Sequence, residues 1–296
     1  MITTVLTTRQ DKARGLLLGL MLGDALGAPF TGRARVSSAD LAAEEAAPSS
    51  LVLTGDALLA LALTDHLARL PAIDSALLAE EQAGMWKSRP LRCYPDSAMV
   101  VFSQIASGVR WESVTVTGAD DSVAERITPV ALIADDLEHV VQLALRAAAV
   151  TIPDEETEQA ATVQASAAFL AMHSDMDCPL DPTQLTADLA AAFPSWQQNL
   201  TIVADLVDAD ATPDETADAF GHTVPRALVA FLLNPDDPDE AIRYAIQCGG
   251  ETGTVAAMAG ALAGARSGTS LMSKTLLGRL EGRKHATRLA DQLIVP

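Results

Sequence analysis

Aromatic residues are scarce in this chain of 296, with three Trp, two Tyr and six Phe, while Ala and Leu dominate. Strands favour aromatic and branched side chains, whereas Ala and Leu lose little freedom in a helix, so the imbalance points to an all-α fold. Cations are scarce too. Twenty Lys and Arg stand against thirty-nine Asp and Glu, a formal net charge of −19, which would repel nucleic acid and anionic membrane surfaces. Acidity of this kind also keeps an Ala-rich chain in solution. The three cysteines, Cys93, Cys178 and Cys248, are scattered without metal-ligand spacing, as expected of reduced thiols in a cytoplasmic protein. No uncharged run reaches the roughly 18 residues needed to span a bilayer, which predicts no membrane segment. The stretch KARGLLLGLMLGDALGA resembles a secretory signal, but Asp11 precedes it, Asp24 interrupts it, and no disulfide framework follows.

What is present is apolar and helical in period. The 49% hydrophobic content is ample for a large core. Residues 11–28 predict an apolar helix ending at Gly27 and Pro29, and 33–50 a small-residue, acidic connector. Leu59, Leu63, Leu67 and Leu70 set the face of a helix over 56–70. Shorter helices are predicted over 75–87 and 96–108, and the only strand-like patch is ESVTVTG at 112–118. A long helix is expected from Pro129 to Val150. Further helices are predicted over 155–172, 183–192, 195–208, 212–221, 224–233 and 237–247, with Asp237 and Pro238 as cap and first helical residue, and two or three more from 252 onward. No linker, repeat or low-complexity tail interrupts the chain, so one compact multi-helix domain over 1–296 is expected.

Four segments could carry chemistry: GLMLGDALGAPFTG (19–32), LTGDALLALALTDHL (53–67), GADDSVAERITPVAL (118–132) and CGGETGTVAAMAGALAGARSG (248–268). In this order, and along nearly the whole chain, they resemble the ADP-ribosylglycohydrolase family. The first is similar to GxxxGxAxGDALGxPxE, with Gly19, Gly23, Asp24, Ala25, Leu26, Gly27 and Pro29 in place and Thr31 where the glutamate stands. The second is similar to TDDT, here Thr54, Gly55, Asp56 and Ala57. The third is similar to GNGAAMRxxP and keeps Ala124, Arg126 and Pro129. A Thr-His pair common after the next helix is here Thr151 and Ile152. The fourth is similar to GGDTDTxAAxxGAxAGAxxG, keeping Gly249, Gly250, Thr252 and Thr254, with Glu251 and Gly253 in place of its two aspartates.

The resemblance implies an orthogonal helical bundle that hydrolyses the glycosidic bond between ADP-ribose and a protein side chain, assisted by two Mg²⁺ ions. Mg²⁺ wants oxygen ligands in octahedral array, and two adjacent ions need several carboxylates to offset their repulsion. The family pattern offers five acids at these points and this chain retains two, Asp56 and Glu251. A single weak Mg²⁺ held by Thr54, Asp56, Glu251 and Thr254 is the most that the remnant predicts, with Glu251 and Thr254 on one helix face. Asp56 and Glu251 are then the candidate catalytic residues, and Asp24, Gly249, Gly250 and Arg126 the candidate substrate contacts.

Three functions follow from the resemblance. One is a catalytically impaired member that binds ADP-ribose, a related nucleotide or an ADP-ribosylated protein. Another is a working hydrolase of N- or O-glycosides with one metal or an altered site, and the third is a structural role like that of the family's lens crystallins. Both motif remnants lie at predicted helix N-termini, which favour anions and could accept phosphate without metal. Asp120 and Asp121 oppose this, placing negative charge where the family's glycine loop approaches a pyrophosphate. Each feature also has a plainer reading. Gly23, Gly27, Gly260, Gly264 and Gly268 predict two helices packed closely in the core, with Arg266 excluding a lipid-facing seam. Asp24 reads as a buried structural carboxylate or cap before it reads as a catalyst, and Asp56 also as a first-turn acid. His66, His139, His173, His222 and His285 are dispersed and unpaired.

Overall fold

The computed structural model describes residues 8–70, 72–114, 120–151 and 154–294. Among these the chain forms sixteen α-helices and no β-strand, only an isolated bridge between Leu51 and Leu280. The first four are α1 (Arg9–Gly27), α2 (Ser38–Ala46), α3 (Gly55–Arg69) and α4 (Ser75–Ser88), followed by α5 (Asp96–Ala106), α6 (Val123–Ile127), α7 (Leu137–Ala148) and α8 (Glu155–His173). Then come α9 (Pro182–Ala192), α10 (Gln197–Asp208), α11 (Pro213–Ala219) and α12 (Thr223–Leu233). The last are α13 (Pro238–Gln247), α14 (Thr252–Ser267), α15 (Lys274–Arg279) and α16 (Arg283–Leu293).

The centre is an antiparallel pair, α1 against α14. Every residue of α14 is buried, as is α1 from Lys12 to Gly27 apart from Arg14. Gly15 faces Gly264, Gly19 faces Gly260, Gly23 faces Ala256 and Gly27 faces Thr252, each so close that a Cβ on the glycine would overlap the opposite backbone. The four-residue rhythm on both helices is the spacing at which one helix's ridge enters the other's groove. The predicted glycine contact is therefore the axis of the fold. By length and apolarity alone the helical run Arg9–Phe30 could cross a bilayer, contrary to the sequence expectation, but 83% of its apolar window is buried inside the protein. Arg266, itself buried, reaches Asp236 at 2.7 Å and the Cys178 carbonyl at 2.8 Å.

Around this axis pack α13, α12 and α8 against α14, and α16 against α1. Three local expectations require correction. The acidic connector contains α2, started by Ser37, whose side chain accepts from the Asp40 amide. The long helix from Pro129 is two pieces: Thr128–Leu132 is a 3₁₀ turn, and Asp136 caps a new helix by accepting from the His139 amide. An aspartate that bonds the backbone locally competes with continuation of the helix. The strand-like patch begins in a 3₁₀ turn, Trp111–Ser113, and its residues 115–118 lie outside the described ones. Asp237 does cap α13, accepting from the Glu240 amide.

Candidate functional site

Because α1 and α14 run antiparallel, the last turn of α1 meets the first turn of α14. The Thr252 hydroxyl donates to the Gly27 carbonyl at 2.8 Å, fixing that meeting point. Asp24, buried in the last turns of α1, accepts from the Thr54 amide at 2.8 Å and from the Thr54 hydroxyl at 2.5 Å. This ties the start of α3 to the end of α1. Thr54 in turn caps α3, its hydroxyl accepting from the Asp56 amide at 3.3 Å. The short α6 closes the far side, packing on α3, α8 and α14. Three helix ends and one short helix thus enclose a cleft of about 420 Å³, whose wall includes Asp24, Thr54, Asp56, Tyr94, Asp120, Glu251, Gly253 and Thr254.

Behind the cleft lies Arg126, 3% exposed and so withdrawn from solvent. Its guanidinium donates to Asp56 at 3.4 Å, Asp120 at 3.0 Å and the Thr151 hydroxyl at 3.0 Å. Asp120 also accepts from the hydroxyls of Ser97 at 2.8 Å and Ser122 at 2.6 Å. Burial pushes the Asp120 carboxyl up, but Arg126 and the two serines outweigh it and hold it below the usual range. Asp56 goes the other way. Burial raises it to about 7 despite Arg126, helped by the charge of Asp120, which competes for the same guanidinium. Asp24 is raised by burial to about 6, with the Thr54 hydrogen bonds opposing.

Glu125 is the deepest acid. It is fully buried, and neither carboxylate oxygen has a hydrogen-bond partner of ordinary geometry among the described residues. Burial, then the nearby Asp24 and Asp56, push it well above the usual range; Arg126 and the neighbouring Thr254 hydroxyl pull only weakly back.

The sequence pattern of the ADP-ribosylglycohydrolase family matches residues 6–295. The chain belongs to that family. It is 25% identical to the chicken (Gallus gallus) ADP-ribosylhydrolase ARH3 over 95% of this chain and 92% of that protein. The human (Homo sapiens) ADP-ribosylhydrolase ARH3 is 24% identical over 96% of this chain and 93% of its own length. A solved structure titled ADP-ribosylglycohydrolase-related protein complex superposes with a TM-score of 0.72 at 23% identity, covering 97% of this chain and 98% of the other. The all-α architecture is that of the family.

Against the family pattern, the cleft gathers Asp24, Thr54, Asp56, Glu251 and Thr254. Glu251, however, is the exposed N-cap residue of α14 rather than a helical one, so it does not share a helix face with Thr254. Gly249 and Gly250 do not line the cleft. Both adopt positive φ, at 75° and 73°, in the turn before α14, where the Gly250 amide donates to the Arg33 carbonyl at 2.8 Å. That conformation suits glycine and explains the pair without a ligand. Ile152 lies outside the described residues.

The donors do not fit a pair of Mg²⁺ ions. Both oxygens of Asp24 are engaged by Thr54, one oxygen of Asp56 faces Arg126, and Gly253 has no side chain to offer. Among the described residues no three His, Cys, Asp or Glu side chains lie close enough to share an ion. The acids have moved instead. Set against GNGAAMRxxP, Asp120 and Asp121 stand at the first Gly and the Asn, and Glu125 stands at the Met. Glu125, Tyr94 and Asp96 were not singled out from the sequence. The Glu standing at the Met of that pattern was the available signal for Glu125, while Tyr94, in the turn between α4 and α5, and Asp96, the first residue of α5, reach the cleft only through the fold.

Proposed function

We propose that this chain is a catalytically impaired ADP-ribosylglycohydrolase whose cleft binds a ribosylated ligand, such as ADP-ribose, a related nucleotide or an ADP-ribosylated group on a partner protein, without two-ion hydrolysis. The observation that supports it most is Gly253. The position expected to supply a carboxylate shared by two ions is a glycine, while Asp24 and Asp56 are held by Thr54 and Arg126. Without a side chain at that position no carboxylate is left there to bridge two divalent ions. The whole of 1–296 is taken as one such domain, working in the cytoplasm.

One observation favours a second reading, residual hydrolysis. Asp24 and Asp56, raised to about 6 and about 7, are poised for proton transfer near neutrality, as acid and base pairs in glycosidases are. Incubation with ADP-ribosylated arginine and serine peptides in Mg²⁺ or Mn²⁺ separates the two. The binding reading expects no release of ADP-ribose, and saturable thermal stabilisation by the intact arginine peptide, about 2.7 kcal/mol at a hundredfold excess over Kd. Release abolished by Asp56→Ala would establish a hydrolase. Neither release nor stabilisation would leave the structural role.

A further inference from the structure

We propose that a second cavity, beside the cleft, is a subsite for a neutral, hydroxyl-bearing sugar ring. It lies where the starts of α8, α10 and α12 converge and has a volume of about 240 Å³. Asp121 belongs to both walls, so the two spaces adjoin. The volume is below the roughly 300–1,000 Å³ of a cofactor-sized site and suits one ring rather than a whole nucleotide. Trp196 and Thr223 line it and are only 7% and 5% exposed. The indole N–H of one and the hydroxyl of the other have no hydrogen-bond partner among the described residues, yet neither group is sealed from solvent. Buried indoles and hydroxyls ordinarily find a partner, and the cavity is the space from which one can come.

The rest of the wall offers both donors and acceptors. His222, the N-cap of α12, gives no side-chain cap, and Pro225 has no N–H, so the Thr223 and Val224 amides are left as open donors of the first turn. The Asn199 side chain, also in the wall, has no partner among the described residues. The acceptors are the carboxylates of Asp121, unpaired among the described residues, and Glu156, which has the His222 ring at 3.6 Å. A phosphate brings acceptor oxygens and up to two negative charges, so it would answer the N–H groups but face both acids. An ammonium or guanidinium only donates, and would leave the Trp196 and α12 N–H groups unmet. A hydroxyl does both, accepting from N–H groups and donating to a carboxylate, as ribose hydroxyls do to the acid of dinucleotide sites. A ring carrying several hydroxyls therefore matches the wall without adding charge. A nucleobase also carries both kinds of group, but stacking supplies much of its binding, and Trp196 exposes too little of its ring to stack on.

Titration of the full chain with D-ribose, D-glucose, adenine, inorganic phosphate and methylammonium, each alone and followed by ¹⁵N NMR of the indole N–H groups, tests this. The chain has three Trp, and the signal absent from Trp196→Phe is that of Trp196. Both sugars should shift it saturably with a Kd of about 1–10 mM, the range for a ligand of about ten heavy atoms. The Trp111 signal, whose N–H donates to the Val150 carbonyl, should stay still. Thr223→Val, which keeps the shape and removes the hydroxyl, and Asn199→Ala should each weaken sugar binding about three- to tenfold. Asp96→Asn, in the cleft wall alone, should leave it unchanged. No saturable shift with either sugar would overturn the proposal, as would tighter binding of adenine, phosphate or methylammonium at this signal, or sugar binding indifferent to both variants. None of these results bears on the cleft, whose reading stands or falls on the ADP-ribosylated peptides.

Discussion

Replacing Gly19 by alanine tests the packing that builds the cleft. A Cβ at Gly19 would lie 2.6 Å from the carbonyl carbon of Gly260 and closer still to its oxygen. Ordinary contact is about 3.5 Å or more, so α1 and α14 would have to separate by roughly 1 Å. Both neighbours are backbone, and no rotamer change can absorb the clash. Overpacking of this kind costs about 1–3 kcal/mol or more, and a gap of that width along the remaining crossing forfeits a quarter to a half of each contact's attraction. Alanine gains about 1 kcal/mol of helix propensity in return; with both neighbours rigid backbone the cost lies at the upper end of the overpacking range, leaving a net loss of about 2 kcal/mol. Gly84 in α4 supplies the control, because it is exposed and a Cβ there meets nothing within 4 Å. Gly84→Ala should therefore stabilise by up to about 1 kcal/mol. Urea denaturation at pH 7.5 reads both. Opposite signs are expected, and a Gly19→Ala variant as stable as the parent would refute the close crossing of α1 and α14.

Stability should also depend on pH through the buried acids. Asp24 at about 6 and Asp56 at about 7 hold protons more tightly when folded than the unfolded chain does near 4. Their stabilisation is fully present below about pH 4 and is lost as pH rises through 6 and 7, with about 3 kcal/mol from Asp24 as the scale. The urea midpoint should fall from pH 5 to pH 8, and Asp24→Asn should flatten that slope; an unchanged slope in the variant would contradict the assignment. Glu125→Met places the family's residue where a buried carboxylate has no partner, and should stabilise by about 1–3 kcal/mol at pH 8. The gain should shrink at pH 5, where the carboxyl is neutral; a loss at both pH values would show that Glu125 has a partner in solution.

Much of the fold was legible because helical period and caps are local. Asp237 and Pro238 start a helix wherever they occur in such a context, and the breaks after α1 and before α14 are written in Gly27, Pro29 and Gly250. Asp136 shows the limit, since the apolar face from Val130 to Ala144 reads as continuous while one side-chain bond to the His139 amide ends it. The positive φ of Gly249 and Gly250 was not legible either, because motif position says nothing of backbone conformation.

The sequence by itself determined the helical class, the family and the loss of acids at Thr31, Gly55 and Gly253, because composition, motif order and absent side chains need no coordinates. Only the tertiary structure decided what those losses mean. It showed that Thr54 occupies Asp24, that Arg126 stands between Asp56 and Asp120, and that Glu125 is sealed without a partner. The charge of a carboxylate depends on what lies within a few ångströms of it, and those neighbours come from distant parts of the chain, Arg126 for Asp56 and Thr254 for Glu125.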